Sequence, residues 1–191
     1  MPLQLITPPA EEPVSIIDAK LHLRVDFNED DTLIASLISA SRQAAETLTG
    51  CQFVTGRWKL VLDGFPRCVI ALPKCPVQSV LTINYLDMNA VLQTMPASTY
   101  TVDTACEPAR ITPVFGQFWP LALPQIGAVT VTFDAGYGAP SDVPEGIKSW
   151  IKLRVGSLYA YREEVAVTSG GRIETLPFMD GLLDPYKVSL I

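Results

Sequence analysis

The chain is predicted to adopt an α+β fold: a small helical bundle, with two N-terminal and two C-terminal helices, into which an antiparallel β-rich subdomain is inserted. Three observations predict it. Apolar residues recur at helical spacing up to Gly50, alternate at period two through much of 53–133, and return to helical spacing after Pro144. The expected division is 1–50 for the N-terminal helical half, 51–137 for the β-rich insertion and 138–191 for the C-terminal half that completes the bundle.

The first residues, Ile6-Thr7-Pro8-Pro9, read as a rigid apolar leader. A short helix follows, with Ser15 as N-cap and Asp18 three residues on as the capping-box acceptor. Asp30 and Asp31 then place negative charge at the start of a longer helix, where the macrodipole favours it, and Gly50 supplies its left-handed end. Leu33, Ile34, Leu37, Ile38, Ala44, Ala45 and Leu48 form a wide apolar face on that helix. The opposite face carries Ser36, Ser39, Gln43 and Thr47, with Arg42 and Glu46 its only charges, spaced as an i,i+4 pair. Small neutral side chains are cheap to desolvate, so this face suits burial under another protein. A core helix of an ordinary monomer reads equally well.

From residue 53 the alternation predicts short strands at Phe53–Leu62, Val69–Leu72 and Val77–Leu86. Asp87-Met88-Asn89-Ala90 is a hairpin turn into Val91–Met95. Strands over Tyr100–Asp103, Arg110–Thr112 and Val129–Phe133 complete an antiparallel sandwich or rolled sheet, interrupted by an irregular loop from Pro113 to Gly127. Helix resumes at Pro144, which suits a first helical position, and runs to about Arg162 with Ile147, Ile151, Val155 and Leu158 as its buried stripe. Val165 to Thr175, with Ser169-Gly170-Gly171, is expected to be a mobile loop, and a short final helix starts near Pro177 and stops before Pro185.

Composition narrows the function. A net charge of −6 with only 18% charged residues argues against a nonspecific nucleic-acid binder, which needs a basic face, though not against a protein that DNA merely passes. With 48% hydrophobic residues, so few charges favour an assembly component. No signal peptide or membrane-spanning run is read, so a soluble protein made in the cytosol is expected. Cys51, Cys68, Cys75 and Cys106 form no Cys-x-x-Cys pair and are expected to be reduced.

The chemical motifs fail on inspection. Asp26 to Asp30 imitates an EF-hand start, but Asp31 and Leu37 stand where Gly and Glu belong. Gly136-Tyr137-Gly138 lacks the third glycine of a dinucleotide loop and reads as a strand-to-helix turn. The single histidine, His22, has no nucleophile or metal partner marked in the sequence. Glu163 and Glu164 beside Arg162 read as a solvated helix end. Lys148, Lys152 and Arg154 make the penultimate helix the most basic element, which suits solvation or an acidic partner. No catalytic residue, metal or cofactor is expected.

An ordered set of segments carries a resemblance. It comprises the leader, Pro13-Val14-Ser15 to Asp26, the acidic turn, Glu46-Thr47-Leu48-Thr49-Gly50, Trp58 to Pro66, and Leu72-Pro73 to Val80. Tyr100-Thr101-Val102-Asp103, Phe118-Trp119-Pro120 and Gly136-Tyr137-Gly138 with Val143-Pro144 follow. Taken together it resembles the head–tail connector (adaptor) proteins of tailed bacteriophages, in the long form with a β insertion found in prophages and gene transfer agents. The resemblance implies a non-enzymatic neck component. Such a protein forms a ring, typically twelvefold, that joins the portal to the stopper or tail, with the genome passing through its centre without sequence-specific binding. It would sit in the virion neck after assembly and in the host cytoplasm before. Ser36, Ser39, Gln43 and Thr47 become ring-interface candidates, and Phe178, Met179, Leu182, Leu183 and Tyr186 portal-docking candidates, although packing on the chain's own core fits those five equally well. A tail-completion or minor tail protein, a hydrolase working through Asp26, Asp30 or Asp31, and a β-sandwich binding module are the competing readings.

Overall fold

The computed structural model describes residues 2–161, 165–167, 173–175 and 180–188. They belong to two compact units, a β unit (Met1–Ala10, Gly50–Gly138, Val188–Ile191) and a helical unit (Glu11–Thr49, Ala139–Lys187). The α+β class is as expected.

In the β unit, β1 (Leu3–Thr7), β2 (Gly56–Leu62), β4 (Val77–Leu86), β5 (Leu92–Thr94) and β8 (Val129–Ala135) form an antiparallel sheet of order β1-β2-β8-β4-β5. A second antiparallel sheet has the order β3-β7-β6, from β3 (Ile70–Leu72), β6 (Tyr100–Asp103) and β7 (Ala109–Pro113). Strand β8 sits between β2 and β4, and Val129, Val131, Phe133 and Ala135 all point to one buried side, as a period of two requires. Leu60 and Ile83 of the first sheet meet Leu72 and Ile111 of the second in the same core, so the insertion is a small sandwich. Each such side chain contributes roughly 1.5–3 kcal/mol on burial. The turn after β4 is the expected hairpin, with Asp87 N–H donating to Val91 O at 3.0 Å and Ala90 left-handed at φ 60.

The leader differs from its reading. It is strand β1, paired with β2 through Leu3↔Leu60 and Leu5↔Trp58, and it belongs to the β unit. Only the β-rich partner, some fifty residues on, makes a strand of a segment whose prolines suggest an extended spacer.

In the helical unit α1 (Ile16–Leu23), α2 (Asp31–Thr49) and α3 (Glu145–Tyr161) pack on one another. Ser15 caps α1 as expected, accepting from Asp18 N–H at 3.1 Å and donating to Asp18 Oδ2 at 2.7 Å. Gly50, at φ 78, follows the end of α2. Ile34, Ile38 and Ala45 of α2 and Ile147, Trp150, Ile151 and Val155 of α3 are fully buried. Two expectations change at the C-terminal side. The segment read as a loop holds β9 (Val165–Val167) and β10 (Ile173–Thr175), paired antiparallel. The final helix, where described, is two single 3-10 turns, Asp180–Leu182 and Asp184–Tyr186, the second with Pro185 where an α-helix could not continue.

Candidate interaction surfaces

Helix α2 buries its apolar stripe and leaves a second stripe in solvent. Ser36, Gln43 and Thr47 are exposed and Ser39 is half-buried; Leu33, Ala40 and Leu48 extend the exposed stripe. The apolar face read from sequence is therefore wider than the buried one, since Leu33 and Leu48 stay outside. Arg42 and Glu46 do not belong to the exposed stripe. Arg42 Nε donates to Glu12 Oε2 at 2.7 Å and its Nη1 to Glu46 Oε2 at 2.7 Å, with both partners on α2 largely shielded from water. Burial alone would lower the Arg42 pKa; the hydrogen bond to Glu12 and the charges of Glu46 and Glu12 outweigh it and raise it. Turning its two charges inward leaves α2 with an exposed face that bears none between Thr32 and Leu48. Ser36 and Thr47 also bond their hydroxyls to Leu33 O and Gln43 O, so little is lost when that face dries.

Asn28, Asp30 and Asp31 of the acidic turn are bonded within the helical unit, while Asp26 and Glu29 are exposed. Lys20 Nζ donates to Asn28 Oδ1 at 2.5 Å and Asp31 Oδ1 at 2.7 Å, and Tyr159 Oη to Asp30 Oδ2 at 2.5 Å. Among the described residues no group of three His, Cys, Asp or Glu side chains is placed to hold a metal ion. His22 lies on the exposed side of α1, opposite Gly156 of α3. Lys148 Nζ pairs with Glu145 Oε1 at 3.1 Å on α3. Cys51 and Cys75 are buried side by side; their mutual hydrogen bond, with burial, pushes the Cys75 thiol far up, the reverse of what a nucleophile requires. The Gly136-Tyr137-Gly138 turn is a packing device. Gly136 N–H donates to Pro76 O, Tyr137 N–H to Phe53 O, and Thr55 N–H to Gly138 O, all at 2.9–3.0 Å. Phe178, Met179, Arg162, Glu163 and Glu164 lie outside the described residues. Of the other portal-docking candidates Leu182 is exposed, Leu183 is fully buried, and the Tyr186 ring rests against Gly146 of α3.

Two apolar surfaces escaped the sequence reading. On α1, Ile17 and Leu21, one turn apart, are each 79% exposed. In the loop between β7 and β8, Phe118 is 92%, Leu121 81% and Ile126 89% exposed, and Phe115 is wholly so. That loop is held rather than loose. Trp119 stacks on Phe65 at 5.0 Å and donates Nε1–H to Cys68 O, Leu123 N–H donates to Leu86 O, and Gly127 N–H to Asp63 Oδ1. Its sequence signal is that residues 111–133 contain no charge.

Residues 14–94, from the start of the helical unit through β5, match the model of the phage gp6-like head-tail connector protein family. Over that segment the chain is similar to the phage-type head–tail connectors. Solved structures extend the likeness in fold to the chain's full length. A chain from the neck of the empty GTA particle, computed with C6 symmetry, is 22% identical with a TM-score of 0.81. One from the virion of the native gene transfer agent (GTA) particle is 21% identical at 0.82, and one from the native neck computed with C12 symmetry 22% identical at 0.79. Each comparison covers 100% of this chain and 97% of the other. At that identity the agreement is one of fold, and it takes in the β insertion. No curated protein matches the chain.

Proposed function

We propose that the chain is a head–tail connector, a structural component of a virion neck that assembles side by side with copies of itself into a ring, twelvefold in the particle. The ring joins the portal to the stopper or tail and surrounds the DNA channel. The observation that carries this reading is the charge-free exposed stripe of α2, within the segment that matches the connector family. Acidic subunits meet with least repulsion where the facing surfaces carry little charge, and Ser36, Ser39, Gln43 and Thr47 provide such a surface. The role proposed is assembly: of Asp26, Asp30 and Asp31, the carboxylates of the hydrolase reading, Asp30 accepts from Tyr159 and Asp31 from Lys20, while Asp26 is exposed. Portal docking falls to the C-terminal segment, with Leu182 the exposed apolar residue described there and Leu183 and Tyr186 anchoring it to the helical unit. The chain would be made in the host cytoplasm and end in the neck.

The test is a double substitution, Ser36→Arg with Gln43→Arg. Both side chains are exposed, so thermal stability should stay within about 0.5 kcal/mol of the parent. Negative-stain images of the parent, alone and with its portal, should show rings, and the variant should show none. Equal ring formation by both, or a neck that lacks the chain, refutes the reading.

A further inference from the structure

Two thiols that the neck reading does not use, those of Cys51 and Cys75, lie against each other inside the β unit, the residues 1% and 2% exposed. We infer that they are an oxidation site, a dithiol that a small peroxide converts to a disulfide once the chain has left a reducing compartment. Backbone geometry carries the inference. Gln52 N–H, next to Cys51, donates to Cys75 O at 2.8 Å. Backbones joined by such a bond lie about 4.8 Å apart, within the roughly 4.4–6.8 Å between Cα atoms that a disulfide spans. Both segments are also fastened to one turn: Phe53 O accepts from Tyr137 N–H and Pro76 O from Gly136 N–H, each at 2.9 Å. One thiol already donates to the other. Bond formation therefore asks for side-chain rotation and little movement of the backbone.

The oxidant must be small to reach a pair this buried, and hydrogen peroxide balances the reaction. Cys51 Sγ, as thiolate, attacks one peroxide oxygen; the O–O bond breaks, a sulfenic acid forms, and the other oxygen takes up the thiol's proton and leaves as water. Cys75 Sγ then attacks the sulfenic sulfur, the S–O bond breaks, and a second water carries off the Cys75 proton. Two electrons pass from the sulfurs to the peroxide. Burial and the hydrogen bond to Cys51 hold the Cys75 thiol protonated, which leaves the first attack to Cys51 and keeps the reaction slow. Cytosolic thiol reductants then keep the pair reduced during synthesis. Only the later, oxidising setting rests on the neck reading, because a particle leaves its host. The new bond closes a loop that contains β2 and β3, and so restrains the unfolded state of the β unit.

Mass spectrometry tests it on the full-length chain carrying Cys68→Ser and Cys106→Ser, changes at an exposed and a half-buried position that leave only the buried pair. Reduced protein, cleared of reductant, is held with hydrogen peroxide and then unfolded in guanidinium chloride with N-ethylmaleimide. The treated chain should be lighter by two hydrogens and take up no maleimide, while the untreated chain is alkylated at both cysteines. A peptide map should join Cys51 to Cys75, and the unfolding temperature should rise by at least about 3 °C over the untreated sample. Two alkylated cysteines after treatment, sulfinic or sulfonic acids in place of the disulfide, or a disulfide with a smaller thermal gain would each overturn the inference. None of these outcomes bears on the neck reading, which the ring images test separately.

Discussion

Gly136 shows how much of the β unit can hang on one backbone atom. A Cβ built there would lie 2.7 Å from Thr55 N and 2.8 Å from Thr55 Cα, at φ +134, a conformation side chains rarely adopt. None of the atoms it meets is the end of a flexible side chain, so nothing can swing aside. Gly136→Ala should cost about 3 kcal/mol or more, read as a lower urea midpoint. Gly116, in the exposed loop, has φ +81 but nothing within 4 Å, so Gly116→Ala should cost only the left-handed penalty of roughly 1–2 kcal/mol. Equal losses at the two sites would show that φ, and not the contact with Thr55, sets the cost. At this scale the sequence is informative where the physics is local. The Ser15 cap and the Gly50 terminus depend on neighbours within four residues, and both were readable. The direction of Arg42 was not, because Glu12 lies thirty residues away and helical spacing alone cannot say which partner draws the guanidinium inward.

Elements with a strong internal pattern were legible, and those that need a distant partner were not. Strand β8 alternates along its whole length, and β4, despite two register shifts against it, was also found almost to the residue, while β1 exists only because β2 offers it an edge. Strands β9 and β10 have three residues each, too few for a period to register. The hairpin between β4 and β5 is self-contained and has a pH dependence of definite sign. Asp87 accepts from Gln93 Nε2, Val91 N–H and Asn89 N–H, and these bonds to its charged form hold its pKa below the usual aspartate range. A depressed folded-state pKa gives stability that is complete above the unfolded value, about 3.9, and is lost as pH falls through the lower folded value. Amide exchange at Asn89 and Val91 should therefore be steady from neutral pH down to about 5, once corrected for the intrinsic rate, and should lose protection below about 4. Asp87→Asn should abolish that acid step. An acid step that survives the substitution would assign it elsewhere.

For the whole molecule, what the sequence carried was an order of segments, and what it lacked was exposure. The connector resemblance came from helix, acidic turn, helix, strand and loop in sequence, none of them diagnostic alone, and the full-length likeness to neck chains follows that same order. Periodicity assigned Leu33 and Leu48 to the apolar face of α2, yet solvent reaches both, as it does the unassigned α1 pair Ile17 and Leu21. A pattern of hydrophobic residues says that a face will be covered; it does not say whether the cover is the same chain or another copy. That distinction has a consequence in salt. Each copy carries −6, and the surface proposed for copy-to-copy contact, the α2 stripe, carries no charge. Between copies so arranged, the main electrostatic effect is mutual repulsion, which salt screens over about 10 Å at 0.1 M and about 3 Å at 1 M. Raising salt from 0.1 to 1 M should therefore hold or strengthen self-association, measured by sedimentation velocity, whereas an interface built on ion pairs would weaken. A tenfold loss of association over that range would mean that charged pairs hold the copies together, and that the uncharged stripe faces something else.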